Sequence, residues 1–264
     1  MESSKIMNLN FDIEKIKNYK SNSQKARVLT ENWIFENMYC PRCGNFNLNH
    51  FENNRPVADF FCPSCKNEYE LKSNTKNVSQ KINDGSYETM IRRITSNKNP
   101  DFLFMKYSNI EWKVNDLIFV PKHFFIPEII EKRKPLSQSA KRAGWIGCNI
   151  LINKIPNQGK IFIISNGKIC DKRDIVNDVN ISNRLITKNI ISRGWLMEIL
   201  NCINLIPTIE FNLNDMYNFE DYLHEKFSNN NNVRAKIRQQ LQILRDRKVI
   251  EFVGRGKYRK LFGK

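Results

Sequence analysis

The chain has 264 residues, 43 of them lysine or arginine against 27 aspartates and glutamates, for a net charge of +16. That length supplies one large or two ordinary domains with a real core and no need of disulfides, and the charge calls for a polyanionic partner, nucleic acid before an acidic membrane surface. No apolar run approaches the roughly 18–20 residues of a membrane span, and the polar stretch from Met1 to Asn10 lacks the apolar centre of a signal peptide. Integral-membrane and secreted classes are therefore set aside, and a cytoplasmic protein is expected.

In chain order, Ile13, Ile16 and Tyr19, then Ala26, Leu29, Trp33 and Ile34, predict two helices between Asn10 and Asn37, broken around Ser21 to Ser23. Tyr87, Met90, Ile91 and Ile94 predict an amphipathic helix within Gly85 to Ser96. The apolar runs Phe102 to Tyr107, Leu117 to Val120 and Lys160 to Ser165 have strand length. Mixed helices and strands make an α/β (α+β) first domain, ending between Asn180 and Lys188. Beyond it, Trp195 to Ile206, Leu213 to Phe227 (capped by Asn212 or Asn214) and Asn232 to Arg247 read as three helices. A strand from Val249 to Val253, the Gly254-Arg255-Gly256 turn and a return strand complete the order of a winged helix. Gly194 to Glu225 holds six acidic residues and no lysine or arginine, whereas Asn232 to Lys264 holds eleven basic against two acidic, so one end of this domain is built to face phosphates.

Four of the seven cysteines form Cys40-Pro-Arg-Cys43 and Cys62-Pro-Ser-Cys65, eighteen residues apart. That spacing fits a closed four-cysteine zinc shell, structural and not catalytic. His50 lies between the pairs as an alternative ligand, and Cys148, Cys170 and Cys202 read as small buried side chains.

The stretch R-P-V-A-D-F-F-C-P-S-C-K-N-E-Y-E-L-K-S, Arg55 to Ser73, reads as a hairpin starting at Pro56 and turning at Cys62 to Cys65. Residue 61 is then expected opposite 66, 60 opposite 67 and 59 opposite 68. With side chains alternating, Asp59, Glu68, Glu70 and Lys72 share one face and Phe60, Tyr69 and Leu71 the other. Such a face suits phosphodiester hydrolysis: Asp59 and Glu70 offer hard oxygen ligands to Mg²⁺, and Lys72 orients or deprotonates the attacking water. The plain alternative is a solvated charged face. Glu68 is a third ligand or simply solvated, and Glu31 a further acidic group or a plain surface residue.

P-V-A-D-F and E-L-K match the PD-(D/E)xK nuclease signature. Together with Y-K-S-N-S-Q-K-A-R from Tyr19, C-P-R-C-G-N, R-A-G-W-I-G-C-N-I, S-R-G-W, I-R-Q-Q-L-Q-I-L-R-D and G-R-G-K-Y-R-K-L, they make the chain resemble the DpnI-like methyl-directed restriction endonucleases over nearly its full length. The resemblance implies a zinc-bearing PD-(D/E)xK domain at 1–187 and a winged helix at 188–264. It further implies Mg²⁺-dependent cleavage of double-stranded DNA at G-A-T-C sites carrying N6-methyladenine. Asp59, Glu70 and Lys72 take the catalytic positions, Asp59, Glu70 and Leu71 the magnesium, and Cys40, Cys43, Cys62 and Cys65 the zinc. Trp145 takes the place of an aromatic residue near the methylated adenines; a core tryptophan is the alternative.

The methyl group lies in the major groove, where Arg142 and Trp145, with Lys141 beside them, can offer apolar surface and base-edge donors. Arg234, Arg238, Gln239 and Gln240 stand near the start of the groove-entering helix, glutamine being suited to adenine and arginine to guanine. Arg255, Lys257, Arg259 and Lys260 in the wing read as phosphate contacts. One methyl contact is worth about 0.8 kcal/mol, roughly a fourfold preference, so two symmetric methyls and two reading domains are expected to act together in a monomer. The alternative from another class is a non-cleaving methyl-DNA-binding regulator, for which the acidic face would be useless. A structure-specific repair nuclease would fit the hairpin but not paired readers.

Overall fold

Ser21, in extended backbone, starts α1 (Asn22–Asn37), which buries Leu29, Thr30, Trp33 and Ile34. The computed structural model describes residues 7–51, 58–78, 80–96, 99–187 and 189–262. Arg55, Pro56 and Val57 of the expected nuclease signature, and Lys188 at the expected domain boundary, lie outside the described residues. The first of the two predicted helices reduces to one 3-10 turn, Ile13–Ile16, capped by Asp12. Of its apolar residues only Ile16 reaches a core, while Ile13 and Tyr19 stay exposed, so there is no face to sustain a longer helix.

β1 (Asn49–His50), β2 (Phe60–Phe61) and β3 (Glu68–Asn74) form one antiparallel flank of the main sheet. The chain then crosses through β4 (Ile82–Ser86) and α2 (Tyr87–Ile94) to β5 (Asp101–Ser108), which pairs parallel to β3. β6 (Lys113–Val120) pairs with β5, while β7 (Ile130–Lys132) and β8 (Gly147–Ile150) join β4 in a separate sheet of order β4-β8-β7. β9 (Ile161–Ser165) and β10 (Lys168–Ile169) complete the main sheet, of order β1-β2-β3-β5-β6-β9-β10. The three strand-length runs become β5, β6 and β9. The small sheet leaves no such signal, because Asn83-Asp84-Gly85 in β4 has the composition of a turn and β7 has three residues.

β5 is buried along most of its length and feeds two cores. Leu103 and Met105 pack with α1 and with α3 (Lys172–Asn183), whereas Phe102 and Phe104 pack with Met90 and Ile94 of α2. The second core runs on without a gap into α4 (Ile190–Leu205) and the helices after it.

In the C-terminal part, β11 (Glu210–Asn212) leads into α5 (Leu213–Tyr217), capped by a reciprocal Asn212–Asp215 pair. α6 (Glu220–Lys226) follows after a break at Asn218 and Phe219, where one continuous helix was expected; Phe219, at φ −95° and ψ 8°, is not helical. α7 (Val233–Asp246), β12 (Ile250–Gly254) and β13 (Lys257–Lys260) finish the order, with β11 added to the hairpin as β11-β13-β12. Four helical segments, α4 to α7, with α5 and α6 in place of one expected helix, and a wing make this a winged helix. Among the described residues no helix is long and apolar enough to cross a membrane. Cys148 and Cys202 are buried and Cys170 half-buried.

His123, just after β6, is buried against α3, with Nε2 2.9 Å from the Ser182 carbonyl. Nε2 therefore carries the hydrogen, and Nδ1 has no partner among the described residues. Burial pushes its pKa from 6.5 down to about 3. Above pH 6.5 the ring is neutral in both folded and unfolded chains and costs nothing. Below it the unfolded chain takes up a proton that the fold refuses, so stability falls as pH drops toward 3. At pH 5 the loss is about 2 kcal/mol. Urea midpoints at pH 7.5 and 5 should fall further for the wild type than for His123→Gln.

Candidate active site and metal centre

The two Cys-Pro-x-Cys turns have the same backbone design. Cys40 N–H donates to the Asn45 carbonyl (2.8 Å) and Gly44 N–H to the Cys40 carbonyl (2.8 Å); Cys62 and Lys66 repeat both bonds, with Asn67 in place of Asn45 (2.9 and 3.0 Å). In each, the residue after the second cysteine is left-handed: Gly44 at φ 73° and Lys66 at φ 59°. Glycine takes that conformation freely, whereas for lysine it costs on the order of 1 kcal/mol. This extra left-handed residue corrects the expected hairpin register, for Phe61 faces Glu68 and Phe60 faces Tyr69. The shift is two residues, so side chains keep their faces. Phe60 and Tyr69 are fully buried, with Leu71 packed at the edge of the same core, and Glu68 is half-buried on the opposite face.

The four cysteine sulfurs lie within 4.8 Å of one another. Cys40 and Cys65 Sγ are 3.5 Å apart and Cys43 and Cys62 Sγ 3.7 Å, too far for disulfides and close to the edge of roughly 3.8 Å implied by a tetrahedron of 2.3 Å Zn–S bonds. The donor set thus fits zinc. Burial raises the Cys62 thiol, but the backbone N–H groups of Cys65 and Ser64 outweigh it and hold its pKa below the ordinary value. His50 is not in the cluster; it lies between Phe35 and Phe60, with ring centroids at 5.1 and 4.7 Å.

Both turns are fastened to the sheet through Asp101, the first residue of β5, which is wholly buried. Its carboxylate accepts from Arg42 Nε (2.5 Å) and Nη2 (2.8 Å), from Asn67 Nδ2 (2.6 Å) and from Lys122 N–H (2.7 Å). Arg42 also donates to Asn183 at the end of α3 (2.9 Å). Tyr69 Oη lies 2.9 Å from Cys40 Sγ, so β3 itself touches the cluster.

Three residues before Cys62, the ladder turns irregular at Asp59. Its N–H donates to the Tyr69 carbonyl (2.9 Å), and its Oδ2 accepts from Leu71 N–H (2.7 Å). The side chain is therefore held at the edge of β3 beside Glu70 and Lys72. Burial raises the Asp59 pKa against the opposing Leu71 hydrogen bond and Lys72 charge, and Glu31 adds to the rise. Glu31 is thus near enough to be felt at the site, while it pairs with Arg27 (2.7 Å). Lys72 Nζ is 2.5 Å from Glu70 Oε1, and Arg93 Nη2 is 2.6 Å from Glu70 Oε2. On its other side Lys72 contacts Asp84 of β4. Burial disfavours the Lys72 ammonium, but Glu70 and Asp84 outweigh it and raise its pKa.

Asp84 and Arg93 extend the predicted triad to a row of alternating charges, Asp84–Lys72–Glu70–Arg93. Arg93 left a trace in the sequence: it stands three residues after Met90 and beside Ile94, a charge at the margin of the buried stripe that needs a partner. Asp84 left none, sitting inside an apparent Asn-Asp-Gly turn.

Among the expected DNA contacts, Arg142 lies over the Trp145 ring (4.5 Å) on an exposed loop between β7 and β8. Trp145 is half-buried. On α7, Arg234 pairs with Glu220 (2.7 Å), Arg238 donates to Tyr217 Oη (2.7 Å), and Gln239 accepts from Lys236 (2.7 Å). Gln240 is only 2 % exposed and sits with Ile237, Leu241 and Leu244, so it is not presented on the outer face with the others. Arg255 and Lys257 are exposed on the wing, and Arg259 bridges Glu210 and Glu251 (both 2.7 Å).

A family model described as DpnI, Dam-replacing family, matches residues 7–189, and one described as the Dam-replacing HTH domain matches residues 191–260. The first takes in the cysteine cluster, the charged row and the Trp145 loop, and the second takes in α4 to β13, so that the protein belongs to the Dam-replacing family and ends in that family's helix-turn-helix domain.

Proposed function

We propose that the protein is a methylation-dependent restriction endonuclease that hydrolyses double-stranded DNA at G-A-T-C sites carrying N6-methyladenine, with Mg²⁺ as cofactor and zinc in the cysteine cluster. The observation that carries the reading is the convergence of Asp59, Glu70 and Lys72 at one edge of β3 in a strongly basic, helix-turn-helix-bearing chain. Two carboxylates at that edge suit a hard divalent cation, with Asp59 and Glu70 as side-chain ligands and Leu71 as the backbone position between them. When bound, such an ion polarises a phosphate oxygen and lowers the pKa of a water.

In the reaction, water oxygen bonds to phosphorus as it gives up a proton, the P–O bond to one sugar breaks, and the departing oxygen takes up a proton. Lys72, flanked by Glu70 and Asp84, is a hydrogen-bond donor toward the water and the phosphate. The Trp145–Arg142 pair supplies an apolar face and a cation for the methylated major groove. The outer face of α7, with Arg234, Arg238 and Gln239, and the wing residues Arg255, Lys257 and Arg259 supply a second reading surface.

The test incubates the protein and Mg²⁺ with adenine-methylated and unmethylated plasmid. Only the methylated plasmid should be cut, and Asp59→Ala should cut neither. Equal cutting of both would remove methyl direction, and tight methylated-DNA binding without cutting would favour the regulator.

A further inference from the structure

Lys72 is an ionic joint between the two sheets of the N-terminal part. It stands on β3 of the main sheet, and its second carboxylate, Asp84, stands on β4 of the small sheet. In the register, Asp84 faces Cys148 of β8, and β8 begins at Gly147, two residues after Trp145. The loop before β8 is itself well tied: Leu136 N–H donates to the Trp145 carbonyl (2.9 Å) and Arg133 N–H to the Gly147 carbonyl (3.0 Å). The Tyr87 N–H at the start of α2 donates to the Ile146 carbonyl (3.1 Å), and the same helix carries Arg93 to Glu70. Segment 82–94 therefore connects the Trp145 loop to both members of the E-x-K pair through two charged contacts.

We propose that Asp84 is a positioning residue for strand cleavage: it fixes the Lys72 ammonium at the reacting phosphate and makes that placement depend on the seating of the Trp145 loop. This role rests on the nuclease reading above, and its force comes from burial. The Asp84 side chain is 7 % exposed and that of Lys72 19 % exposed, so neither group is free to find another partner in solvent. Lys72 has a long flexible stem, and Glu70 alone, two residues away on the same strand, would leave its ammonium free to swing about that contact. A second carboxylate from another sheet removes this freedom, and displacements near 1 Å at a reacting centre cost on the order of 100-fold in rate.

The experiment uses the full chain with Mg²⁺ and a short duplex containing one methylated site, under single-turnover conditions with duplex affinity measured in parallel. Asp84→Asn, which keeps shape and removes charge, should slow cleavage by about 10- to 100-fold with duplex affinity unchanged, and Asp84→Glu should recover part of the loss. In a Lys72→Ala background, Asp84→Asn should add no further slowing, because Asp84 acts through Lys72. Wild-type speed for Asp84→Asn, a loss confined to affinity, or the same slowing with and without Lys72 would each overturn the proposal. If Asp84→Asn does not fold, Asp84→Glu decides, and wild-type cleavage by it would be fatal. A wild-type protein that fails to cut the methylated duplex overturns the nuclease reading, and this inference with it.

Discussion

Replacing Cys62 with serine is expected to abolish both zinc binding and DNA cleavage, with loss of the native fold of the first domain. The cluster takes two cysteines from the turn that joins β2 to β3 and two from the turn after α1, so the ion would bond these two turns directly to each other. Asp59 lies three residues before Cys62, and Tyr69, between Glu68 and Glu70, touches Cys40. Structural zinc sites bring about 10–16 kcal/mol of apparent binding free energy, as much as the whole stability of an ordinary domain, about 5–15 kcal/mol. The wild type should carry one zinc per chain by elemental analysis, and prolonged chelation should erase its near-ultraviolet circular dichroism and its cleavage together. A folded, cutting, zinc-free Cys62→Ser protein would refute a structural role for the ion.

The second large effect is expected at Asp101. Asp101→Ala strips the Arg42 guanidinium, only 16 % exposed, of both its short carboxylate contacts, leaves Lys122 N–H without its acceptor and leaves the Asn67 amide only the Glu68 carbonyl at 3.2 Å. Removing one partner of a buried pair costs about 3–5 kcal/mol, and the orphaned donors add to it. The joint replacement Arg42→Met with Asp101→Leu should be milder than Asp101→Ala, since no charge is then stranded. Urea unfolding of the two variants checks the order. A smaller loss for Asp101→Ala than for the double variant would show that the network is not the anchor between the cysteine turns and the sheet.

Much of this fold was legible because burial imposes period. β5 has a continuous apolar run since both of its faces are covered, and Met90 and Ile94 mark the inner face of α2. The Cys-x-x-Cys spacing marks the four cysteines that cluster, and alternation along β3 puts Glu70 and Lys72 on one face whatever the register. What stayed hidden depended on tertiary partners. The left-handed Lys66 has no sequence mark, so the hairpin register lies two residues from the one the sequence predicts. Asp84 meets Lys72 only because β4 comes against β3 in the folded chain. Gln240 carries a polar side chain at a core position of α7, and composition alone does not distinguish it from the exposed Gln239 beside it.

The pairing of β2 with β3 also obeys a parity rule. Because the observed pairing differs from the simplest one by two residues, every side chain keeps its face; a slip of the pairing by one residue is the change that would exchange the faces. A one-residue slip of β3 against its neighbours would roll Glu70 and Lys72 into the space now filled by Tyr69 and Leu71 and turn the tyrosine ring out to the charged face. The pleat thus holds the pairing to even steps and leaves the turn free in length, so the stretch between Asp59 and the E-x-K triplet can vary as long as Phe61 still faces Glu68.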